Sequence, residues 1–400
     1  MFKLREGLEI NDAKDVLTIL LLLFAFFLPI SISLVQPVAY LAIPVFIYVA
    51  WNDRLYRPVW HPVFWPIILF AVFLLVAAVT GPNAWDSVIK SRRILLLTVI
   101  FIFPVLFKVN TDDKRSFIIT PILFFVAGTS LLGVWDIVRV PWELSRGVSL
   151  YDTGNMRDPQ LYLVGGSFLL ALWIYRPVLL PRWFLYVMIA LNSMGMILHF
   201  KRGVWLAFML TAFLICALTR RYRLLIGVLL VVCAVLAFPQ TRERLELLKN
   251  ETLVQTGGRY VLWTQVAPHM IADYPLGTGF RGLEHEDYLS YSRHLQPGLN
   301  HLHNNILQVF VDAGWLGGLA WLFWMGMVFI SMMRLSRKYH ENNAARATVA
   351  LGCMASFIGL MLNGMVEYNF GNSVIFMTLI LLMGLMNTLC YAERQETITG

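Results

Sequence analysis

Long runs of apolar residues recur along the chain, most of them close to the twenty or so residues that an α-helix needs to cross a hydrocarbon core. That recurrence constrains the fold more than any other feature, because a water-soluble core has no use for a dozen such runs. The runs predict spans at approximately 16–35, 37–51, 62–80, 93–108, 116–137, 159–175, 178–199, 203–219, 224–238, 305–333, 345–366 and 373–391. The second and ninth are short for a full crossing. The first exceeds the 7–15 apolar residues of a signal core and is expected to be retained as a helix. Composition agrees: 58% of residues are hydrophobic and 14% charged, where soluble domains approach a quarter charged. The expected fold class is an all-α polytopic membrane protein with about twelve transmembrane helices. It forms a single membrane domain over 1–400, with a large helix-containing loop, 239–304, between spans nine and ten. Membrane lipids are its expected surroundings, and no nucleic-acid partner is expected. The four cysteines, Cys216, Cys233, Cys353 and Cys390, all fall in apolar runs and read as small core residues.

Orientation follows from basic residues near span ends. With the N-terminus inside, 18 of the 32 Lys and Arg fall in inner segments, six in the long loop, and eight in short outer segments. N-in and C-in is favoured, and the long loop faces outward. The eight dissenters are Lys90, Arg92, Arg93, Arg139, Arg146, Arg157, Lys201 and Arg202. A solvated loop face or contacts to lipid headgroups would explain any one of them. A shared anionic ligand at the outer surface would explain the group, since the planar guanidinium fork pairs with phosphate through two hydrogen bonds. Arg202, in HFKRGVWL, is the sharpest case. It lies at the hydrocarbon edge, where a charge is costly unless it is paired or faces a cavity.

The long loop has structure of its own. In RYVLWTQVAPHMIAD, from Arg259, the residues Val261, Leu262, Val266, Met270 and Ile271 have near-helical spacing and predict a surface helix interrupted or kinked at Pro268. YPLGTGF follows, with Gly277 and Gly279 in a segment that reads as a turn; its GxG is a weak phosphate signal. Five of the eight histidines lie here: His269, His285, His294, His301 and His303. His301 and His303 stand two apart, which would not face one way on a helix, and no metal site is expected. His303 opens the tenth span at the water–membrane boundary. It serves either as a polar anchor or as a general base, which a neutral imidazole can be near pH 7.

These residues resemble a known family. His303-Asn304, nine residues, Gly314, two more and Gly317 match the HNx9GxxG pattern of bacterial O-antigen ligases. Arg202-Gly-Val-Trp-Leu206 matches the family's Rx3L element, and Arg259 with the following LW…DYPLGTGF is similar to the signature of the wider O-antigen ligase and polymerase superfamily. The resemblance implies a glycosyltransferase of the bacterial inner membrane, with its active site on the periplasmic side. Its donor would be an O-antigen glycan on undecaprenyl diphosphate, and its acceptor a sugar hydroxyl of lipid A–core. It also implies metal-independent transfer without cofactors. His303 would be the general base, with His301 as its rival. Arg202 and Arg259 would stabilise the leaving diphosphate, and Arg92, Arg93 and Arg157 would support it by charge and topology. A single displacement would invert the anomeric centre. An O-antigen polymerase or a protein O-oligosaccharyltransferase of the same superfamily shares the donor. A lipid-linked glycan transporter or flippase is the reading from another class, but the chain shows no two-half repeat and its ionisable residues gather at the outer surface rather than mid-span.

Overall fold

Pairs of apolar runs separated by a few residues fold back on each other here. The structure is a computed structural model, and it describes residues 12–53, 56, 58, 64–108, 118–148, 156–177, 180–221, 226–227, 258–292, 295, 299–341 and 343–399. The expected ninth span, 224–238, lies outside the described residues apart from 226–227, as do loop residues 239–257. The helices are α1 (Ala13–Phe27), α2 (Ile32–Asn52), α3 (Trp65–Thr80), α4 (Ala84–Ser91), α5 (Thr120–Ser145), α6 (Arg157–Tyr175), α7 (Arg182–Leu198) and α8 (Arg202–Leu218). The loop contributes α9 (Ala267–Asp273) and α10 (His285–Tyr291), and the chain continues with α11 (Asn305–Tyr339), α12 (Ala344–Gly364) and α13 (Ser373–Thr399). No strand occurs among the described residues.

Among the described residues, five helices are long and apolar enough to cross a membrane: α2, α5, α11, α12 and most of α13. The helices α3, α7 and α8 are apolar but shorter, so the expected total of twelve is not reached on that measure. The core is asymmetric. The most apolar stretch of α13 is 94% buried, whereas that of α2 is only 28% buried, so α13 is a central post and α2 a peripheral one. The outer faces carry large apolar side chains such as Trp51, Val79, Trp135 and Trp183. A lipid solvent accepts such a surface and water does not.

Two stretches differ from the sequence expectation. The second span is a full 21-residue helix, α2, with Pro37 and Pro44 inside it; prolines are tolerated in a membrane helix when neighbours satisfy the freed carbonyls. The fourth, 93–108, is not one α-helix. Arg92–Phe101 is a 3-10 helix, and i→i−3 bonds continue at Val105, Leu106 and Phe107. Its burial repeats every three residues, as eclipsed 3-10 side chains require: Arg93, Leu96, Val99 and Ile102 are buried, while Arg92, Leu95 and Thr98 are exposed. This overwound segment packs along α13.

The loop builds a small second core. Val261, Leu262, Val266, Met270, Leu283, Tyr288, Leu299 and Leu302 pack on Phe310 and Val311 of α11. The expected helix is present, as Arg259–Val261, a π turn over Leu262–Val266 and then α9. Pro268, which has no N–H to donate, falls in the first turn of α9, just beyond the π turn. YPLGTGF is a turn docked on α11. There Gly314 breaks the helix with φ 71° and ψ −176°. The break frees two carbonyls, so Thr278 N–H donates to Val311 O at 3.0 Å and Gly279 N–H to Asp312 O at 2.9 Å. A Cβ on Gly314 would stand 2.5 Å from Pro275 O, and one on Gly277 the same distance from Gly314 N. The two glycines let these backbones touch.

Candidate functional site

The turn after α12 and the segment before α11 meet at one end of the bundle. Asn304 caps α11, its Oδ1 accepting from Leu307 N–H at 3.0 Å, while its Nδ2 donates to Met365 O at 2.9 Å. Asn305 bonds Asn369 and accepts from Phe370 N–H at 3.0 Å. Together these bonds fasten the 365–370 turn to the start of α11. His303 precedes the cap in a left-handed conformation, φ 49°.

That geometry brings His301 and His303 onto one carboxylate. His301 Nε2 lies 3.3 Å from Glu367 Oε1, and His303 Nδ1 lies 3.2 Å from Oε2. The rings are 4.2 Å apart. The helix-based expectation that residues two apart diverge does not apply, because 301–304 is not helical. Burial disfavours the charge on Glu367, but the hydrogen bonds from His301 and then His303 outweigh it and hold the carboxyl well below its ordinary range. The side chains of His301 and His303 are 23% and 25% exposed against 9% for Glu367. The imidazoles are therefore reachable and the carboxylate behind them is not.

Two of the expected arginines adjoin this corner. Arg202 begins α8, and a Cβ on the next residue, Gly203, would stand 3.1 Å from Val366 and 3.3 Å from Asn363. The start of α8 thus abuts the turn that carries Glu367. Arg259 opens the loop helix, which is tied to the histidine segment by Trp263 Nε1 donating to Leu302 O at 2.8 Å. Arg202 and Arg259 are both half-buried.

The remaining arginines go elsewhere. Arg93 is buried, donates to Phe370 O at 2.8 Å and Gly371 O at 2.9 Å, and stands 4.4 Å from the ring centre of Phe280 and 4.2 Å from that of Phe376. It is a bolt between the 3-10 segment and the 370–371 turn, its guanidinium engaged by those two carbonyls and two rings. Arg92 beside it is exposed. Arg157 donates from Nε to Asp158 Oδ1 at 2.5 Å. Asp158 adjoins a second histidine–carboxylate group, in which Asp136 accepts from Tyr162 at 2.6 Å and from Arg139 at 2.8 Å and pairs with His199 at 2.8 Å. Asp136 and His199 are wholly buried.

Sequence reasoning missed Glu367, Asp136 and His199. Each left a trace: a charge or an imidazole at the outer end of an apolar run, the same signal that singled out Arg202. The fold supplies what that signal lacks, which is the partner 64 or 63 residues away.

Residues 187–322 match the sequence model of the family described as O-antigen ligase. This match supports placing the segment in the O-antigen ligase/polymerase superfamily. The match spans α7, α8, the loop and the first half of α11, and so covers Arg202, Arg259, His301, His303, Gly314 and Gly317. Glu367 and Asp136 lie outside it. No curated protein matches the chain.

Proposed function

We propose that the protein is an O-antigen ligase. In this reading it moves a glycan from undecaprenyl diphosphate to a sugar hydroxyl of lipid A–core, at the periplasmic face of the inner membrane. The observation that carries the reading is the His303–Glu367 pair beside the start of α8. With its Nδ1–H donated to Glu367, His303 presents the Nε2 lone pair to an acceptor hydroxyl. Nε2 takes the proton, the hydroxyl oxygen attacks the anomeric carbon of the donor, and the carbon–oxygen bond to the diphosphate breaks. Glu367 steadies the imidazolium that forms, as the carboxylate of a hydrolytic triad does. Arg202 and Arg259 face the charge that develops on the leaving diphosphate, with Arg92 and Arg157 as outlying positive charge. One displacement inverts the anomeric configuration. Single-domain organisation over 1–400, with 239–304 as a periplasmic loop, belongs to the same proposal.

The test is transfer in vitro by purified protein from a lipid-linked glycan to lipid A–core, with chelator present. Wild type should transfer, and His303→Ala should lose about 10²- to 10⁴-fold, the usual contribution of a general base. Transfer by His303→Ala at the wild-type rate removes the base. A polymerase is the second reading, since it shares the superfamily match. Elongation of the lipid-linked glycan with no transfer to lipid A–core would favour it.

A further inference from the structure

His301 has more hydrogen-bonding partners than a simple orienting role needs. Its Nδ1 lies 2.7 Å from Asn300 Oδ1, an acceptor, so the proton of a neutral ring belongs on Nδ1. In that neutral tautomer Nε2 would face Glu367 Oε1, 3.3 Å away, with a lone pair, whereas the hydrogen bond from His301 to Glu367 described above needs a second proton on the ring. A lone pair facing a carboxylate oxygen is repulsive unless a proton or a cation stands between them. A second proton would make His301 an imidazolium. A metal ion satisfies the same contacts with the ring neutral.

The spacing fits an ion. In a tetrahedral site with ligands about 2.0–2.1 Å from the metal, neighbouring ligand atoms are roughly 3.3–3.4 Å apart. The two nitrogen–oxygen separations here, one to each oxygen of the Glu367 carboxylate, are 3.3 Å and 3.2 Å. All three groups can offer ligand atoms within 4.8 Å of one another. The outer partner fits as well, because a metal-bound histidine usually donates its other N–H to an oxygen, as His301 does to Asn300. Two imidazoles and one carboxylate leave a fourth position open, and zinc is the metal that most often takes such a set. The buried group at Asp136, Asp158 and His199 is a poorer candidate, since Tyr162, Arg139 and Arg157 already occupy its carboxylates.

We propose that His301 Nε2, His303 Nδ1 and Glu367 form a binding site for a divalent transition metal of the zinc class, and that filling it switches transfer off. The second half rests on the reading of His303 as base. Metal on Nδ1 displaces the proton that Glu367 held there. That proton moves to Nε2, and the neutral ring keeps no lone pair for the acceptor hydroxyl. The same histidine thus serves either the metal or the acceptor.

The test uses the full chain without a polyhistidine tag, stripped with chelator and held in lipid nanodiscs. Zinc chloride is titrated by calorimetry, and cobalt(II) is used as a visible probe of coordination. One zinc per chain should bind, with cobalt bands typical of a four-coordinate site. His301→Ala and Glu367→Gln should each weaken binding about 10- to 100-fold or more, while His269→Ala, at an exposed loop histidine, should not. No binding, or binding indifferent to both ligand substitutions, overturns the site. Zinc should also inhibit wild-type transfer, reversed by chelator; saturation without inhibition overturns the switch. Wild-type transfer by His303→Ala would sink the base reading by itself, whatever the calorimetry gives.

Discussion

Two histidine–carboxylate groups sit among the described residues, and they differ in what reaches them. At Asp136 the carboxylate takes Tyr162, His199 and Arg139, and both Asp136 and His199 are sealed from solvent. At Glu367 the carboxylate takes two imidazoles among the described residues, and both rings keep about a quarter of their surface open. The first group joins α5, α6 and the end of α7; the second joins the start of α11 to the turn after α12. Similar chemistry therefore does two jobs. A saturated, buried carboxylate fixes helices, and an open imidazole backed by a buried carboxylate can meet a substrate.

The comparison breaks most sharply in a pair of variants. His303→Ala should cost about 10²- to 10⁴-fold in transfer with a small loss of thermal stability, since His301 still pairs with Glu367. Asp136→Ala should do the reverse. Removing one partner of a buried charged network costs on the order of 3–5 kcal/mol, so the melting temperature falls, while transfer per folded molecule drops by less than about 10-fold. If Asp136→Ala abolished transfer in folded protein, the division of labour would fail. The arginines divide in the same way. Arg93→Ala orphans two buried carbonyls at about 1–3 kcal/mol each and should lower the melting temperature, whereas Arg202→Ala should lower it less and reduce transfer. Equal melting temperatures for the two would return Arg93 to the list of ligands.

Much of the site was legible before the fold. Arg202 stood out because charge at the hydrocarbon edge against the orientation bias needs a reason, and Arg259 and His303 through the motifs that resemble the O-antigen ligases; the fold places Arg202 and Arg259 next to the histidine corner through Gly203 and Trp263. Glu367 left only a faint trace. One acid after an apolar run looks like any solvated loop residue, and only the capping bonds of Asn304 and Asn305 bring it beneath the imidazoles. Arg93 parts from its neighbour for a related reason. Its charge and position match those of Arg92, but the three-residue repeat of the 3-10 helix turns it inward. The break at Gly314 explains why a glycine stands there, and Gly314→Ala should destabilise the protein by at least about 1–3 kcal/mol through its positive φ and the clash with Pro275. A substitution without cost would mean that the turn does not dock.

A smaller effect follows from charge. The Glu367 carboxyl is held below its ordinary range, so the stability it contributes is complete above the unfolded carboxyl pKa of about 4.3 and fades as pH falls toward the folded value. The advantage of wild type over Glu367→Gln in melting temperature should therefore be constant above about pH 5 and shrink below it. An advantage that grew on acidification would contradict the pairing.

The central claim is that His303 and Glu367 act as one unit, and a double-mutant cycle on transfer measures that directly. Glu367→Gln alone should lower transfer by roughly 10-fold or more, because a carboxylate that sets the tautomer of a catalytic imidazole is lost. The double variant His303→Ala/Glu367→Gln should be no slower than His303→Ala, since the carboxylate has nothing left to orient. Losses that multiply in the double variant would show that the two residues work independently, and the proposed mechanism would be wrong.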